Sequence, residues 1–300
     1  MKYRFLFLLL FPFFSNSQQE SFLANYRLQM SLINPAYAGS EAENMIALTS
    51  RNQWVSLENS PKTQVMTFSS ERGKNVGLGL SFIANNFFVE RNTASYIDFS
   101  YKLNFTNETA LYLGLKAGAT FYKENLLGLT SSSLSIDPAQ GLFSRVNPNL
   151  GIGMLIQSPV FWFSFSVPRL FNSRGNSEFS ITSTDRVHTY FGSGVNLKVN
   201  DSFFLKPSIL LRTVSDLSTT ADFLALFSYK NTFDVGASYR TNNSLGLISY
   251  FSLKNFLDIG YAYETFVESG LSGLSISTHE ISLRFKFGSN SNSEETLPEE

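Results

Sequence analysis

The 300-residue sequence contains no cysteine, which excludes disulfides, thiolate nucleophiles, cysteine-ligated metals and lipid-modified cysteine. Charged residues make up only 16% of the chain, against about 25% in an ordinary soluble domain. The formal net charge is -1, so the chain has no basic field with which to hold nucleic acid. These shortages point away from a cytosolic enzyme and from a nucleic-acid-binding protein.

Long apolar runs are missing beyond the first segment. No stretch after residue 17 approaches the roughly 18 apolar residues of a helical membrane span. The first 17 residues place two basic side chains before ten mostly apolar residues, Phe5 to Phe14, and end in small serines before Gln18. This order predicts a secretory signal peptide at 1–17, because the apolar core is too short to span a bilayer. We therefore expect an exported protein.

What the chain has in excess is aromatic residues, 15% of the total with Phe at 30 positions, together with a strict period-two alternation. Successive side chains of a strand point to opposite faces, so each alternating segment has one apolar face and one polar or glycine-rich face. The clearest examples are 76–84, 95–103, 111–120, 161–167 and 281–287.

A soluble β-sandwich would alternate in the same way, with its apolar face inward. Segments of about 9–12 residues instead match tilted strands that cross a bilayer. Aromatic residues cluster at segment ends, as interface girdles require: Phe121 with Tyr122, Phe203 with Phe204, and Tyr261 with Tyr263. Charged side chains fall on the polar face, as a wet lumen requires: Asp98, Lys102, Lys116, Asp234, Arg240, Asp258, Arg284 and Lys286.

The sequence therefore predicts an all-β protein, a transmembrane antiparallel β-barrel of about 14 strands that occupies 44–287. The expected strands are 44–54, 62–71, 76–86, 93–104, 109–122, 148–157, 160–167, 187–199, 203–213, 219–229, 233–241, 244–253, 256–264 and 278–287.

The connections and ends of the barrel carry further expectations. Turns after even-numbered strands are short, whereas long loops follow odd-numbered strands at 123–147, 168–186 and 265–277. This pattern is typical of an outer-membrane barrel with both termini in the periplasm. Residues 18–43 lack alternation and are expected to form a periplasmic arm or a plug in the lumen. The acidic end, 288–300, is expected to be disordered.

Motifs for chemistry are few. A phosphate-binding loop needs glycines between a strand and a helix, whereas Gly77–Gly79, Gly151–Gly153 and Gly192–Gly194 lie on the predicted lumen face and are expected to relieve crowding there. The two histidines, His188 and His279, leave open a lipid hydrolase in which an imidazole takes a serine proton.

Neither histidine adjoins a recognisable serine motif, and two histidines this far apart are a weak metal signal. We therefore expect no catalytic residue, no metal site and no cofactor. The inward carboxylates of Asp98, Asp222, Asp234 and Asp258 are expected to pair with inward lysines and arginines.

The most informative constellation is N-terminal. It reads NPAYAGS at Asn34–Ser40, RNQW at Arg51–Trp54 and SPKT at 60–63. Pro35 restricts Asn34 to extended conformations and favours a turn. We expect Arg51 and Trp54 at the outer end of the first strand, with Pro61 closing the following loop. Chemistry alone predicts a well-fixed plug and a first hairpin, with Arg51 hydrogen-bonded inside the barrel.

At these residues the sequence resembles the PorP/SprF family of type IX secretion system membrane proteins. One position departs from the family pattern, because Asn59 stands where we expect a glycine before the proline. The acidic tail is also longer than the pattern requires. The residues that match are Asn34, Pro35, Ala36, Tyr37, Ala38, Gly39, Arg51, Gln53, Trp54, Pro61 and Thr63, with His279 and Glu280 before the last strand.

The resemblance implies an outer-membrane barrel of Bacteroidota that serves protein export and, in some species, gliding motility. It implies a docking and anchoring protein and not an enzyme. Its partners would be outer-membrane lipid, secreted adhesins with a type IX C-terminal domain, and periplasmic peptidoglycan-binding or secretion components. The matching residues, His279 among them, would be structural or partner-binding. A porin-like or substrate-specific channel is the alternative, because a charged, glycine-rich lumen also suits a pore.

Overall fold

The computed structural model describes residues 22–41, 43–73, 75–125, 141–171, 186–215, 218–241, 244–254, 256–266 and 277–288. The expected signal peptide at 1–17 lies outside these ranges. So do most of the expected acidic tail and most of the long loops at 123–147, 168–186 and 265–277.

Within the described ranges the chain makes three short 3-10 turns and then fourteen antiparallel strands. The eighth strand is interrupted at Asn196 and continues as Leu197–Lys198, which pairs with the same neighbour. The strands are β1 Asn44–Asn52, β2 Lys62–Arg72, β3 Val76–Phe87, β4 Glu90–Asn104, β5 Ala110–Asn125, β6 Leu142–Gln157, β7 Phe161–Arg169, β8 His188–Val195, β9 Phe203–Val214, β10 Thr220–Tyr229, β11 Phe233–Arg240, β12 Ser244–Leu253, β13 Leu257–Phe266 and β14 Ser277–Phe287.

The sheet closes on itself, which confirms the predicted barrel. Every strand pairs with its neighbours in sequence, and β1 pairs with β14 from Asn44 opposite Phe287 to Asn52 opposite His279. Closure satisfies the backbone amides and carbonyls of every strand within the sheet, as hydrocarbon surroundings require. No helix in the part of the chain that the structure describes is long and apolar enough to cross a membrane.

The two faces of the wall divide as the alternation predicts. In β3, Leu78, Leu80 and Phe82 are exposed outward, whereas Gly77 and Ser81 are buried toward the lumen. The same alternation recurs in the other strands, so a broad apolar band surrounds a polar interior. We call the end that carries the turns after even-numbered strands the short-turn end and the opposite one the long-loop end.

Two strand boundaries differ from expectation at residues that break local rules. β6 begins at Leu142 and passes through Pro148, where we expected the strand to start. Leu150 has the same parity as Pro148, and its carbonyl accepts from Leu170 on the β7 side. The missing N–H of Pro148 therefore points away from β5 and costs no bond in that ladder. β1 ends at Asn52, since Trp54 takes a left-handed φ of 51°.

The expected aromatic pairs need one correction. Adjacent residues of a strand point to opposite faces, so only one member of Phe121–Tyr122 and of Phe203–Phe204 can face lipid. Phe121 is exposed, and Phe203 contacts the outward rings of Phe227 and Tyr229 at 5.1 Å. Tyr261 and Tyr263, two residues apart, share the outer face and both contact the His279 ring.

The outer band predicts a position-dependent cost for charge. Ile97, near the middle of β4, and Val199, in a short turn, are equally exposed at 61%. Ile97→Arg should lower the free energy of unfolding in lipid vesicles by about 2–4 kcal/mol, because it places a cation in hydrocarbon. Val199→Arg, the matched control, should cost about 0–1 kcal/mol because it lies near the interface. Urea titration followed by tryptophan fluorescence measures both, and equal costs would contradict the lipid-facing assignment.

Candidate functional site: the occupied lumen

Residues 22–41, which we call the plug, lie inside the barrel. They form three 3-10 turns at Tyr26–Leu28, Met30–Leu32 and Pro35–Tyr37. Much of the segment is fully enclosed by the wall. Its last residues lie at the short-turn end, where the Gly39 amide donates to Ser69 Oγ at 2.8 Å. Its first described residue, Phe22, lies against lumen side chains of the long-loop half.

Asn34 holds the plug to two strands at once. Its Oδ1 accepts from the Ala36 amide at 2.9 Å and so caps the third 3-10 turn. Its Nδ2 donates to the Met154 carbonyl of β6 at 2.9 Å and to Ser164 Oγ of β7 at 2.8 Å. The side chain is 0% exposed. Because both ends of the amide are used, Asn34 is a buried polar group whose cost is fully offset.

Glycines on the lumen face make room for the plug backbone. A Cβ at Gly77 would collide with the Ala38 carbonyl, one at Gly114 with the Ala36 amide, and one at Gly153 with Asn34 Oδ1. The expectation that inward glycines relieve crowding is therefore correct for Gly77 and Gly153, and what they accommodate is the plug. Gly39 itself has a φ of +65°, which favours glycine.

Of the other predicted glycines, Gly192 and Gly194 lie under the Trp162 ring, and Gly151 lies against the Pro168 backbone. These three sites relieve crowding between wall residues. Trp162 in turn carries the Arg27 guanidinium over its ring at 4.9 Å. The plug thus contacts this wall through a side chain, whereas at Gly77 and Gly114 it approaches through its backbone.

Arg51 is the centre of a buried charge network in the long-loop half. It is 3% exposed and contacts Glu264 of β13 at 2.5 Å and Glu280 of β14 at 3.0 Å. Arg240 of β11 extends the network, with 3.3 Å to Glu264 and 2.6 Å to Asp222 of β10. Strands that are far apart in the sequence are therefore joined by charge-assisted bonds in a water-poor interior.

Glu280 connects this network to the plug. Its Oε2 accepts from the Ala24 amide and its Oε1 from the Asn25 amide, both at 2.8 Å, and Oε2 also accepts from Arg51. The residue is 0% exposed. A carboxylate with this many donors is compensated for the loss of water. Two residues singled out from opposite ends of the sequence, Arg51 and Glu280, thus meet at one point.

The four inward aspartates have the cationic partners that we expected. Lys116 pairs with Asp98 at 2.8 Å and also donates to the plug carbonyl of Ser31 at 3.1 Å. The other pairs are Arg240 with Asp222 at 2.6 Å, Lys206 with Asp234 at 3.1 Å, and Arg284 and Lys286 with Asp258 at 2.6 and 3.0 Å.

The loop after β1 contains the remaining N-terminal motif residues. The backbone amide of Gln53 donates to the Pro61 carbonyl at 3.0 Å. Trp54 is half-buried, and its backbone carbonyl accepts from the Leu57 amide. Thr63 is buried opposite Arg51 in the β1–β2 pair. Trp54 is therefore part of this loop and not, as we expected, the end of the first strand.

The backbone conformation of Asn59 explains how an asparagine can stand where the family pattern has a glycine. Its φ is 57°, in the left-handed region where glycine is at ease and asparagine is the best-tolerated alternative. An asparagine can therefore adopt the backbone conformation that this position requires.

The two histidines lie on opposite faces of the wall. His188 is 1% exposed, with its Nδ1 3.4 Å from the Tyr190 hydroxyl. His279 faces outward, with its Nδ1 2.8 Å from the Tyr261 hydroxyl and its Nε2 3.3 Å from Ser277 Oγ. No group of three or more potential ligands that could hold a metal ion occurs in the described ranges. A cavity of about 140 Å³ at the short-turn end is lined by plug and wall residues together.

Sequence reasoning missed Glu264, Gly114 and Phe22. Glu264 shares the inward parity of Asp258, so the alternation of β13 could have identified it. Gly114 likewise lies between inward Tyr112 and Lys116. Phe22 lies outside any periodic segment and only the folded chain reveals its place.

A closed barrel with an apolar outer band and a polar, occupied lumen defines an outer-membrane β-barrel protein. The chain belongs to the PorP/SprF family, type IX secretion system membrane proteins, whose family model matches residues 15–285. The family places this barrel in the type IX secretion apparatus of the outer membrane.

Solved structures share the barrel architecture. The toluene transporter TbuX of Ralstonia pickettii has a TM-score of 0.53 at 12% identity, over 85% of this chain and 92% of that one. The CymD monoaromatic hydrocarbon channel has a TM-score of 0.52 at 13% identity, over 87% and 93%. At these identities the likeness concerns the fold alone. No curated protein sequence matches the chain significantly.

The Arg51 network predicts an asymmetric effect of breaking ion pairs. Arg51→Met should lower the free energy of unfolding by about 3–5 kcal/mol, because it leaves Glu264 and Glu280 buried beside each other with less compensation. Lys198→Ala is the matched control, since it breaks the exposed pair with Asp201 at 2.7 Å and should cost about 0–1 kcal/mol. Urea unfolding in vesicles measures both. A loss at Arg51 no larger than the loss at Lys198 would contradict the network.

The close contact between Gly114 and the plug backbone predicts that one added methyl group at this position displaces the plug. The sequence lacks cysteine, so Ile33→Cys places a unique thiol on a plug residue that is 7% exposed. Adding Gly114→Ala should speed maleimide labelling roughly tenfold or more, because overpacking of about 1–3 kcal/mol falls on the seated plug.

Gly118→Ala is the matched control on the same strand. The three atoms nearest to a Cβ at Gly118 would belong to Ser95 and Tyr96 of the wall. Labelling should therefore stay near the rate of the single Cys variant. Equal acceleration by both alanines would mean that the plug is not seated on Gly114.

Proposed function

We propose that this barrel docks or anchors secreted adhesins that bear a type IX C-terminal domain, as part of the secretion and gliding apparatus. Its short turns and the C-terminal end of β14 would face periplasmic peptidoglycan-binding or secretion components. Its long-loop end would face outward and receive the cargo. Family membership supports the apparatus, and the occupied lumen supports a docking role over a channel.

The occupied lumen is the observation that carries this proposal. The plug fits against three lumen glycines, through its backbone at Gly77 and Gly114 and through the Asn34 side chain at Gly153, and it is bonded to the wall by Asn34 and Glu280. A segment bonded to opposite walls obstructs the lumen of a diffusion channel, because it lies in the path that solutes would take. A docking protein gains a rigid platform, since the plug ties β6 and β7 to β14.

The proposal predicts a specific loss from the cell surface. Deleting the gene in the source bacterium should lower at least one surface adhesin with a type IX C-terminal domain about tenfold or more, which corresponds to losing about 1.4 kcal/mol or more of docking free energy. Surface biotinylation with mass spectrometry quantifies the change. Affinity purification of the tagged barrel in mild detergent should recover the same adhesin.

The Lys198→Ala gene is the matched control for complementation, because it alters only an exposed ion pair. It should restore the adhesin as fully as the natural gene does. Unchanged amounts of every such adhesin after deletion would contradict the proposal. In that case, steady conductance of the purified barrel in planar bilayers would favour the substrate-specific channel.

A further inference from the structure

The plug has two parts that are held in different ways. Residues 34–41, the locked part, are fixed by steric fit against lumen glycines and by an asparagine whose amide is fully bonded. The Ala38 carbonyl accepts from Ser100 Oγ at 2.5 Å, and the Gly39 amide donates to Ser69. The Asn34 amide and these backbone groups have partners. A larger residue at the lumen glycines would collide with this part of the plug.

Residues 22–29, the Phe22 part, bury polar groups that lack partners. Asn25 is 0% exposed, yet within the described residues neither its Oδ1 nor its Nδ2 has a hydrogen-bond partner. The Oε1 of Gln29 and the hydroxyl of Tyr250 on the facing wall are in the same condition there. Each such group costs about 1–3 kcal/mol relative to water. Within the described residues, the Phe22 part therefore buries unpaired side-chain groups of its own, whereas the Asn34 amide of the locked part is bonded at both ends.

Two of the contacts that hold the Phe22 part are ones that many peptides could make. Glu280 accepts from two consecutive backbone amides, those of Ala24 and Asn25. The guanidinium groups of Arg240 and Arg212 lie over the Phe22 ring at 5.0 and 5.4 Å, and the Tyr190 ring stacks on it at 6.5 Å. These groups recognise an aromatic ring and, just after it, a turn of the main chain that directs two consecutive amides at one carboxylate.

We propose that the long-loop half of the lumen is a peptide-binding site that the Phe22 part occupies in the resting barrel. An incoming peptide whose main chain turns shortly after an aromatic residue displaces the Phe22 part and leaves the locked part in place. The aromatic side chain takes the position over Arg212 and Arg240. The amides two and three residues further along bind Glu280.

The charge balance of the wall permits this exchange. The site contains three arginines, Arg51, Arg212 and Arg240, and three carboxylates, Asp222, Glu264 and Glu280. The ion pairs among them are made between strands and do not involve the plug. Withdrawing the Phe22 part also breaks the hydrogen bonds of Tyr26 to Ser208 and of Gln29 to Thr49. Among the charged groups of the site it breaks no ion pair, and it removes two N–H donors from Glu280 and a ring from the guanidinium faces. A peptide that supplies both restores the balance.

The inference rests on the proposed function only for the source of the peptide, which would be the secreted cargo. The site itself is tested without any cargo, so the two ideas can fail separately. Loss of adhesin capture would leave peptide binding untouched, whereas absence of peptide binding would leave anchoring through the external loops.

The first measurement is hydrogen–deuterium exchange by mass spectrometry on the full chain in detergent. The amides of 22–29 should exchange about tenfold faster than those of 34–41, because the penalty of the unpaired groups lowers the free energy of local opening. Equal protection of the two parts would overturn the division of the plug.

The second measurement uses the Phe22→Ala protein, in which the position over the two arginines is vacated. Two labelled octapeptides serve as probes, FLANYRLQ from residues 22–29 and its variant ALANYRLQ. Fluorescence anisotropy should give saturable binding of the first peptide, about tenfold tighter than the second, and Glu280→Gln should weaken it further. Equal affinities, or no saturable binding, would overturn the site. The peptide comparison decides the matter even if Glu280→Gln does not fold.

Discussion

The requirement that backbone amides and carbonyls find partners without water determines most of this structure. In hydrocarbon an open sheet would leave an unpaired edge, so the sheet closes through the pairing of β1 with β14. Closure with fourteen strands leaves an interior wider than wall side chains alone fill. The chain fills it with its own N-terminal segment. That segment is not regular, and so its polar groups must be satisfied by the wall.

The lumen residues follow from that second requirement. Glycines occur where the plug backbone touches the wall, as at Gly77 and Gly114, because any Cβ would occupy the same space. Carboxylates and hydroxyls occur where plug amides need acceptors, as at Glu280 and Ser69. Arginines then compensate the carboxylates. The NPAYAG segment is thus the part of the plug that packs closely against the wall. It has mostly small side chains and one asparagine that bonds to two strands.

The fold was largely predictable because alternation is a strong signal in strands that face lipid on one side. Apolar side chains on β3 and charges on β4 and β5 each define a face, and the ion pair of Asp98 with Lys116 follows from their inward parity. The place of the plug was not predictable, since a polar segment without periodicity fits the periplasm or the lumen equally well. Asn34, Arg51 and Glu280 were identified by motif, but their contacts depend on strand pairings that the sequence does not state. Phe22 has no motif at all.

Within the lumen, the positions of satisfied and unsatisfied groups separate a permanent element from an exchangeable one. If the whole plug served only to seal the barrel, Asn25 would be expected to have partners as complete as those of Asn34, because both are fully enclosed. Instead, the amide of Asn34 is bonded at both ends, whereas that of Asn25 has no bond in the described residues. The unpaired groups accompany the end held by Glu280, a carboxylate that binds main chain without regard to sequence. A segment that is firmly bonded at one end and has unpaired polar groups at the other is suited to partial release. Release of the Phe22 part alone would open the lumen toward the long-loop end, while Asn34 keeps the locked part bonded to β6 and β7.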